Sequence, residues 1–318
     1  MRSDRARHRR VRKDRSLRRT GSLLAVVVLA GAVVLRSPGT SQALTLTSSG
    51  VSGEDGYDAC GYIPPSAMQY IFLNYPVYDF GFYVGGPALS SSCYQATASW
   101  VSQVYSEGWT FMPIWVGLQP DPGCSTAGGP YSSSQEISQD PTNNYGTAYT
   151  QGKAQANAAI TAAKALGFYS GTTLYDDIEQ FDAAGQSGAC GASANAYVNG
   201  WDYQMYNTNG YHAGVYGAAS NVSPWWNLTH VPTDIWIASW NKSNSVWNIS
   251  GVSNSLWNSG GQPDRRLHQY QNNLIVDTYY TVDADCENGL VVPYGTGDSY
   301  QSGDDESLGG VTEDATCP

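Results

Sequence analysis

The sequence predicts a (β/α)8 barrel, and three observations lead there. Short apolar runs bounded by turn residues alternate with helical patterns, as βα units require. Eight such runs can be counted along the chain. After a leader, about 275 residues remain with no Pro-, Ser- or Thr-rich linker and no internal repeat, a length routine for a single barrel. A doubly wound open sheet is the competing architecture, but no GxGxxG-type phosphate turn supports it.

The first strand, in GEDGYDAC, ends at Asp58. PPSAMQYIFLNY follows as a helix with proline at its start and Met68, Ile71 and Phe72 as apolar positions. YDFGFYVGG is the second strand. SSCYQATASWVSQVYSEGW is the second helix, with Ala96, Trp100, Val101 and Val104 on one face and Gly108 near its end. TFMPIWVGLQ is the third strand. The polar, Gly-rich stretch from Gln119 to Tyr145 becomes a long loop, expected to wall one side of a cleft. YGTAYTQGKAQANAAITAAKALGF is an alanine-rich third helix with Gly167 at its C-cap. GTTLYDDIEQF is the fourth strand, ANAYVNGWDYQMYNTNGY the fourth helix and HAGVYGAAS the fifth strand. TDIWIASWN, DRRLHQYQ and VDTYYTVDADC supply strands six to eight. The helices between these last strands are short or unclear, SNSLWNSG being the best candidate.

The first twenty residues carry ten Lys or Arg, and an apolar run, Ser22 to Leu35, comes next. That run is shorter than the roughly 20 residues of a membrane span. With the small residues Ser41 to Ala43 it describes an export signal, residues 1–43, read by the Sec route or, through Arg18-Arg19, by the twin-arginine route. The barrel is assigned to 44–293 and an acidic, Gly-rich tail to 294–318. A secreted protein, in the medium or at the cell wall, is expected.

Losing the leader removes 11 of 16 basic residues but only Asp4 and Asp14 of 27 acidic ones, which leaves a net charge of −20. Such a chain has no electrostatic footprint for nucleic acid and none for anionic lipid, so neither nucleic acid nor, after signal cleavage, a membrane is expected as a partner. A monomer is expected. Cys60, Cys93, Cys124, Cys190, Cys286 and Cys317 all lie in the exported part. An even count in an oxidising compartment favours disulfides, and without CxxC spacing and with few His no metal or other cofactor is expected. Cys60 and Cys93 follow adjacent strands. Cys124 and Cys190 lie in the loops after strands three and four, which leaves Cys286 for Cys317.

Strand side chains alternate in direction. In LYDDIE, Leu174 and Ile178 belong against the surrounding helices, so Asp177 and Glu179 face the barrel axis at its upper rim, and Asp176 faces outward as a bystander. Asp58 ends the first strand, and Asp283 and Asp285 end the eighth. Three separate stretches thus bring acids to one rim, where barrel active sites sit. Such a mouth suits glycosidic bond cleavage, in which one carboxyl is held protonated as general acid and another stays ionised. Crowding raises the pKa of one member.

GYDAC-x4-PSAMQYI, FYVGG, FMPIWVG, the QGKAQANAAITAAKALG helix before LYDDIE, GYHAGVYG and the terminal VDADC together resemble a glycoside-hydrolase-like family of secreted actinobacterial proteins (domain of unknown function 1906), itself similar to the family 25 lysozymes. The resemblance spans nearly all of residues 54–290. It implies Glu179 as general acid and Asp177 as the group that orients an N-acetyl substituent or stabilises the transition state. Asp58 and Asp283 become supporting carboxylates. The chain departs from family 25 in having more cysteines and a longer loop after the third strand. Tyr83, Trp115, Tyr216, Trp240, Gln269, Tyr270 and Asp285 are the substrate-binding candidates, the aromatic ones because rings at the rim can stack on sugar faces.

The expectation is therefore a secreted glycoside hydrolase acting on peptidoglycan or a related N-acetylhexosamine polymer. A non-catalytic wall-glycan-binding module on the same barrel, or a glycosidase for another polysaccharide, are the alternatives. A Ser-His-Asp or Cys-His site is disfavoured: the cysteines look paired, and neither His212 nor His268 has a nucleophile context such as GxSxG.

Overall fold

The computed structural model describes residues 50–52, 55–124, 131–256 and 265–291, with the side chains of 50–52, 207–209, 265 and 287–291 left aside. The leader 1–43 and the tail 294–318 lie outside the described residues. Nine strands are present among them: β1 (Gly50–Ser52), β2 (Asp55–Asp58), β3 (Asp79–Gly85), β4 (Thr110–Trp115), β5 (Thr173–Ile178), β6 (His212–Ala218), β7 (Asp234–Ala238), β8 (Arg265–Val276) and β9 (Tyr280–Val291). Four α-helices accompany them: α1 (Pro65–Asn74), α2 (Ala98–Glu107), α3 (Gly146–Leu166) and α4 (Ala189–Asn209). Strands β2 to β8 pair in sequence order, each parallel to the next, and β9 pairs with both β8 and β2 to close a ring of eight. The short β1 extends the pairing along β9.

The last strand departs from the expected barrel. β9 runs antiparallel to both neighbours, because the predicted eighth strand contains a turn. Val276 pairs with Tyr280, and Asp277 and Thr278 between them take φ of 47° and 59°. Two consecutive left-handed residues make a tight hairpin, whereas a parallel return would need a crossover of a dozen residues or more. Helices also thin out towards the end of the chain. A 3-10 turn, Ser223–Asn227, stands after β6. Among the described residues no helix joins β7 to β8, and residues 254–256 of SNSLWNSG form a turn. The described part of the β7–β8 segment instead covers the outer face of β8, held by polar ties. Arg266 donates to the Ser253 carbonyl, and His268 reaches the carbonyls of Ser245 and Ser239.

Two hydrophobic layers hold the barrel. Outward residues such as Phe80, Phe82, Leu174, Ile178 and Val215 pack against the buried faces of the helices. Inward ones, Met112, Ile114, Tyr175, Trp236 and Leu267, plug the interior. Thr97 caps α2 by accepting from the Trp100 amide, and that helix stops at Gly108 with φ 111°. The Ala-rich α3 ends at Gly167 with φ 100°, as its sequence predicts.

Helices α3 and α4 touch backbone to backbone through glycine. A Cβ on Gly152 would lie 2.0 Å from the Tyr197 carbonyl oxygen, and one on Gly200 would lie 2.0 Å from that of Tyr149. Alanine at Gly200 would gain about 1 kcal/mol of helix propensity, but relieving the clash means prising two buried helices apart. Gly200→Ala is therefore expected to lower the melting temperature by several degrees in a thermal scan.

Disulfides join Cys60 to Cys93 and Cys124 to Cys190. The first links the segments after β2 and β3, and the second ties the loop after β4 to the start of α4. Cys286 is disulfide-bonded. Its expected partner, Cys317, lies outside the described residues.

Candidate functional site

The parity of β5 delivers its acids as the alternation predicts. Tyr175 belongs to the interior plug and Leu174 and Ile178 to the outer layer, so Asp177 points into the barrel mouth, and Glu179 follows just beyond the strand. Two amide side chains fix this exit. Gln119, fully buried after β4, accepts the Glu179 amide at 2.9 Å and donates to the Asp177 carbonyl at 2.7 Å. Asn221 does the same for Phe181, accepting its amide at 3.3 Å and donating to its carbonyl at 2.9 Å. The backbone carrying Glu179 is thus clamped from both sides.

Asp58 ends β2 and sits opposite Asp283 in the β2–β9 ladder. Asp283 reaches the rim although it lies near the start of β9, because β9 enters the barrel from that end. For the same reason Asp285 is carried one layer deeper, opposite Gly56, and not to the rim. Gly81 makes room for this layer. A Cβ there would lie 2.6 Å from the Asp58 Cβ and 2.9 Å from the Trp236 ring.

The four carboxyls converge. The Tyr83 and Tyr216 hydroxyls are raised first by burial and then by nearby charge, Tyr83 by Asp177, Asp58, Glu179 and Asp283, and Tyr216 by Asp177, Glu179 and Asp58. Burial is the first cause of the shifts among the acids themselves. Asp58 is pushed up to about 7 by desolvation and by Asp283, opposed by hydrogen bonds from Gln269 and Asp285. Asp177 lies well above the usual carboxylate range through desolvation and then the charges of Glu179, Asp176 and Asp58. Glu179 is open to solvent yet walled by protein atoms, and desolvation raises it. Desolvation also raises Asp283, against a hydrogen bond from the Asn273 amide. No Lys or Arg among the described residues hydrogen-bonds these acids or lowers their pKa, so the cluster lowers its energy by keeping protons. Among the described residues no group of three or more His, Cys, Asp and Glu is placed to hold a metal ion.

A cavity of about 510 Å³ opens beside Glu179, lined by Gln119, Tyr131, Phe181, Tyr216, Ser239 and Trp240 among others. Trp240 is 57 % exposed and lines this groove. Tyr131, from the loop after β4, lies close enough for Glu179 and Asp177 to raise its pKa, so that loop does wall the cleft.

Three expected substrate-binding residues are placed elsewhere. Trp115 follows inward Ile114 and so points outward, its indole donating to Gln155 of α3. Tyr270 follows inward Gln269 and packs outside the barrel beside Val246, Trp247 and Cys286. Asp285 is fully buried beneath Asp58 and accepts from the Trp236 indole at 2.9 Å, out of reach of a ligand. Asp176 does face outward, but it is no solvated bystander. It is fully buried against Tyr197 and Gly117, and Asp202 of α4, also fully buried, feels its charge. Gln119, Asn221 and Tyr131 carry no sequence signal of their own, since each acts through a contact closed from a distant loop.

The family model for the Rv2525c-like, glycoside hydrolase-like domain matches residues 73–286. No curated protein is detectably similar in sequence. Among solved structures, an uncharacterized B. stearothermophilus protein is 16% identical and aligns over 74% of this chain and 95% of its own, with a TM-score of 0.49. The Mycobacterium tuberculosis Tat-secreted protein Rv2525c, in complex with HEPES, is 15% identical over 75% of this chain and 96% of its own, TM-score 0.48. A muramidase from Acremonium alcalophilum is 13% identical over 74% and 94%, TM-score 0.44.

Proposed function

The chain belongs to the Rv2525c-like, glycoside hydrolase-like domain family, and from that premise we propose that it is an exported glycosidase acting on an N-acetylhexosamine polymer, with peptidoglycan the leading candidate. The observation that carries this reading is the division of labour at the exit of β5. Glu179 is solvent-open in a groove and has a raised pKa, while Asp177 is buried directly behind it. A carboxyl whose pKa is raised by burial can hold a proton and give it to a leaving-group oxygen as the C1–O bond breaks. The Asp177 Oδ1 is buried with no hydrogen-bond partner in the protein, and in this reading Asp177 orients a substrate N-acetyl group or, once ionised, stabilises positive charge developing at C1. Water then supplies the hydroxyl at C1, and its proton returns to the carboxyl set. Asp58 and Asp283 tune the field in which this happens, and Tyr216 and Trp240 line the path of the glycan. Disulfides in the barrel favour an oxidising compartment, in keeping with export through residues 1–43.

The test is release of reducing ends from purified peptidoglycan and from chitin oligomers by the protein lacking residues 1–43, followed beside sedimentation binding to the same polymers. Release from either supports a glycosidase and names its polymer. Binding without release would replace that reading with a wall-glycan-binding module.

A further inference from the structure

Gln269 links two parts of the site through one side chain. It lies on the inward face of β8, 3 % exposed. Its Oε1 receives two donors, the Trp240 indole at 2.9 Å and the Tyr216 hydroxyl at 3.0 Å. An indole N–H can only donate, so this edge of the amide must be its oxygen. The opposite edge, Nε2, therefore donates to Asp58 Oδ2, at 2.6 Å. Asp285 lies one layer beneath Asp58, opposite Gly56; its Oδ1 accepts from Trp236, and its Oδ2 is buried with no donor from the rest of the protein. Ionised carboxylates only accept, so two buried one above the other lower their energy by holding a proton between them. One chain of polar contacts thus runs from an exposed indole at the cleft to a proton buried under the acid cluster.

We propose that Gln269 is a positioning residue that couples occupancy of Trp240 to the location of the proton shared by Asp58 and Asp285. An indole held firmly on Oε1 polarises the amide and makes Nε2–H a stronger donor. The stronger donor favours the ionised form of Asp58 and sends the shared proton to Asp285. A sugar ring stacked on Trp240 would fix the indole in that pose. The glycan in this statement rests on the function proposed above, whereas the Trp240–Gln269–Asp58 link does not. Asp58 is also faced by Asp283 across the ladder, by Asp177 of β5, by Tyr83 of β3 and by Tyr216 of β6; Gln269→Leu also takes the acceptor from the Tyr216 hydroxyl, whereas Trp240→Phe leaves all four groups in place.

The experiment is a carbon-13 carboxyl titration of Asp58 and Asp285 by NMR in the wild type, Gln269→Leu and Trp240→Phe. Trp240 is more than half exposed, so its Phe variant keeps both the fold and the stacking ring while losing the N–H. Removing the donor in Gln269→Leu is expected to raise the apparent pKa of the pair by about half a unit or more. Trp240→Phe should move it the same way by less. A merely structural role for Gln269 would leave the Trp240→Phe titration where the wild type has it, and that result overturns the proposal. With a chitin trisaccharide added, in a Glu179→Gln background to prevent turnover, the pair should titrate lower when Trp240 is present and unmoved when it is Phe. A trisaccharide that binds without shifting the titration also overturns the coupling. Absence of binding in every variant counts against the glycan reading, and the ligand-free titrations then decide the link by themselves.

Discussion

Glu179→Gln is expected to cut glycan cleavage by at least about 10²–10⁴-fold, the range that general acid catalysis supplies, while leaving binding of the same polymer within a few-fold of wild type. Glutamine keeps the shape and polarity of the side chain but has no proton of suitable acidity to give. The backbone should not move, because the clamp from Gln119 grips the Glu179 amide and the Asp177 carbonyl and not the carboxyl. The wild-type rate should fall as pH rises through the raised pKa of Glu179, since the acid form is then lost. Rate and affinity measured on one polymer preparation check both points. Equal release by mutant and wild type would remove Glu179 from the chemistry. Loss of binding along with release would mean that the residue holds substrate and need not protonate it.

The fold should also be most stable in mild acid and weaken towards neutral and alkaline pH. Asp58 is raised to about 7, and Asp176, Asp177, Asp202 and Asp285 lie well above the usual carboxylate range, each first by desolvation. The folded chain therefore keeps protons on these groups at pH values where the unfolded chain, with Asp near about 3.9, has released them. Stability changes with pH in proportion to protons bound unfolded minus protons bound folded, here a negative number, so it falls as pH rises. The decline begins near the unfolded value of about 4 and continues through the Asp58 value of about 7 and beyond. Thermal melts from pH 4 to 9 should show a progressively lower Tm. Asp202→Asn is the sharpest probe. Both oxygens of Asp202 are buried without a hydrogen bond, and amidation removes the ionisation that favours the unfolded chain as pH rises. The variant should melt like wild type at pH 4 and several degrees higher at pH 8. A Tm that is flat or rising across this range would show that the buried carboxyls do not dominate the linkage.

By itself the sequence determined what depends on neighbours a few residues away. The inward parity of Asp177 followed from Leu174 and Ile178 two positions apart in the same strand. The end of α3 followed from Gly167 after an alanine-rich face, and two disulfides followed from the order of strands that their cysteines succeed. The same alternation also held information that tertiary contact had to make plain, because inward Ile114 and Gln269 turn Trp115 and Tyr270 outward. Contacts closed over long distances decided the rest. The β8–β9 turn has none of the Asn-Gly or Asp-Gly chemistry that announces a hairpin; its left-handed residues are Asp277 and Thr278. That reversal is what brings Asp283 to the rim and sinks Asp285 below it. Asp176 became a buried acid only because α4 packs over it, and Gln119, Asn221 and Gln269 became clamps and links only once barrel closure set their partners within hydrogen-bond reach. Strand periodicity is a local steric property and can be read in a short window of sequence. Strand direction at closure, the depth of a carboxyl and the partner of an amide depend on which remote surfaces exclude water together, and only the folded chain decides that.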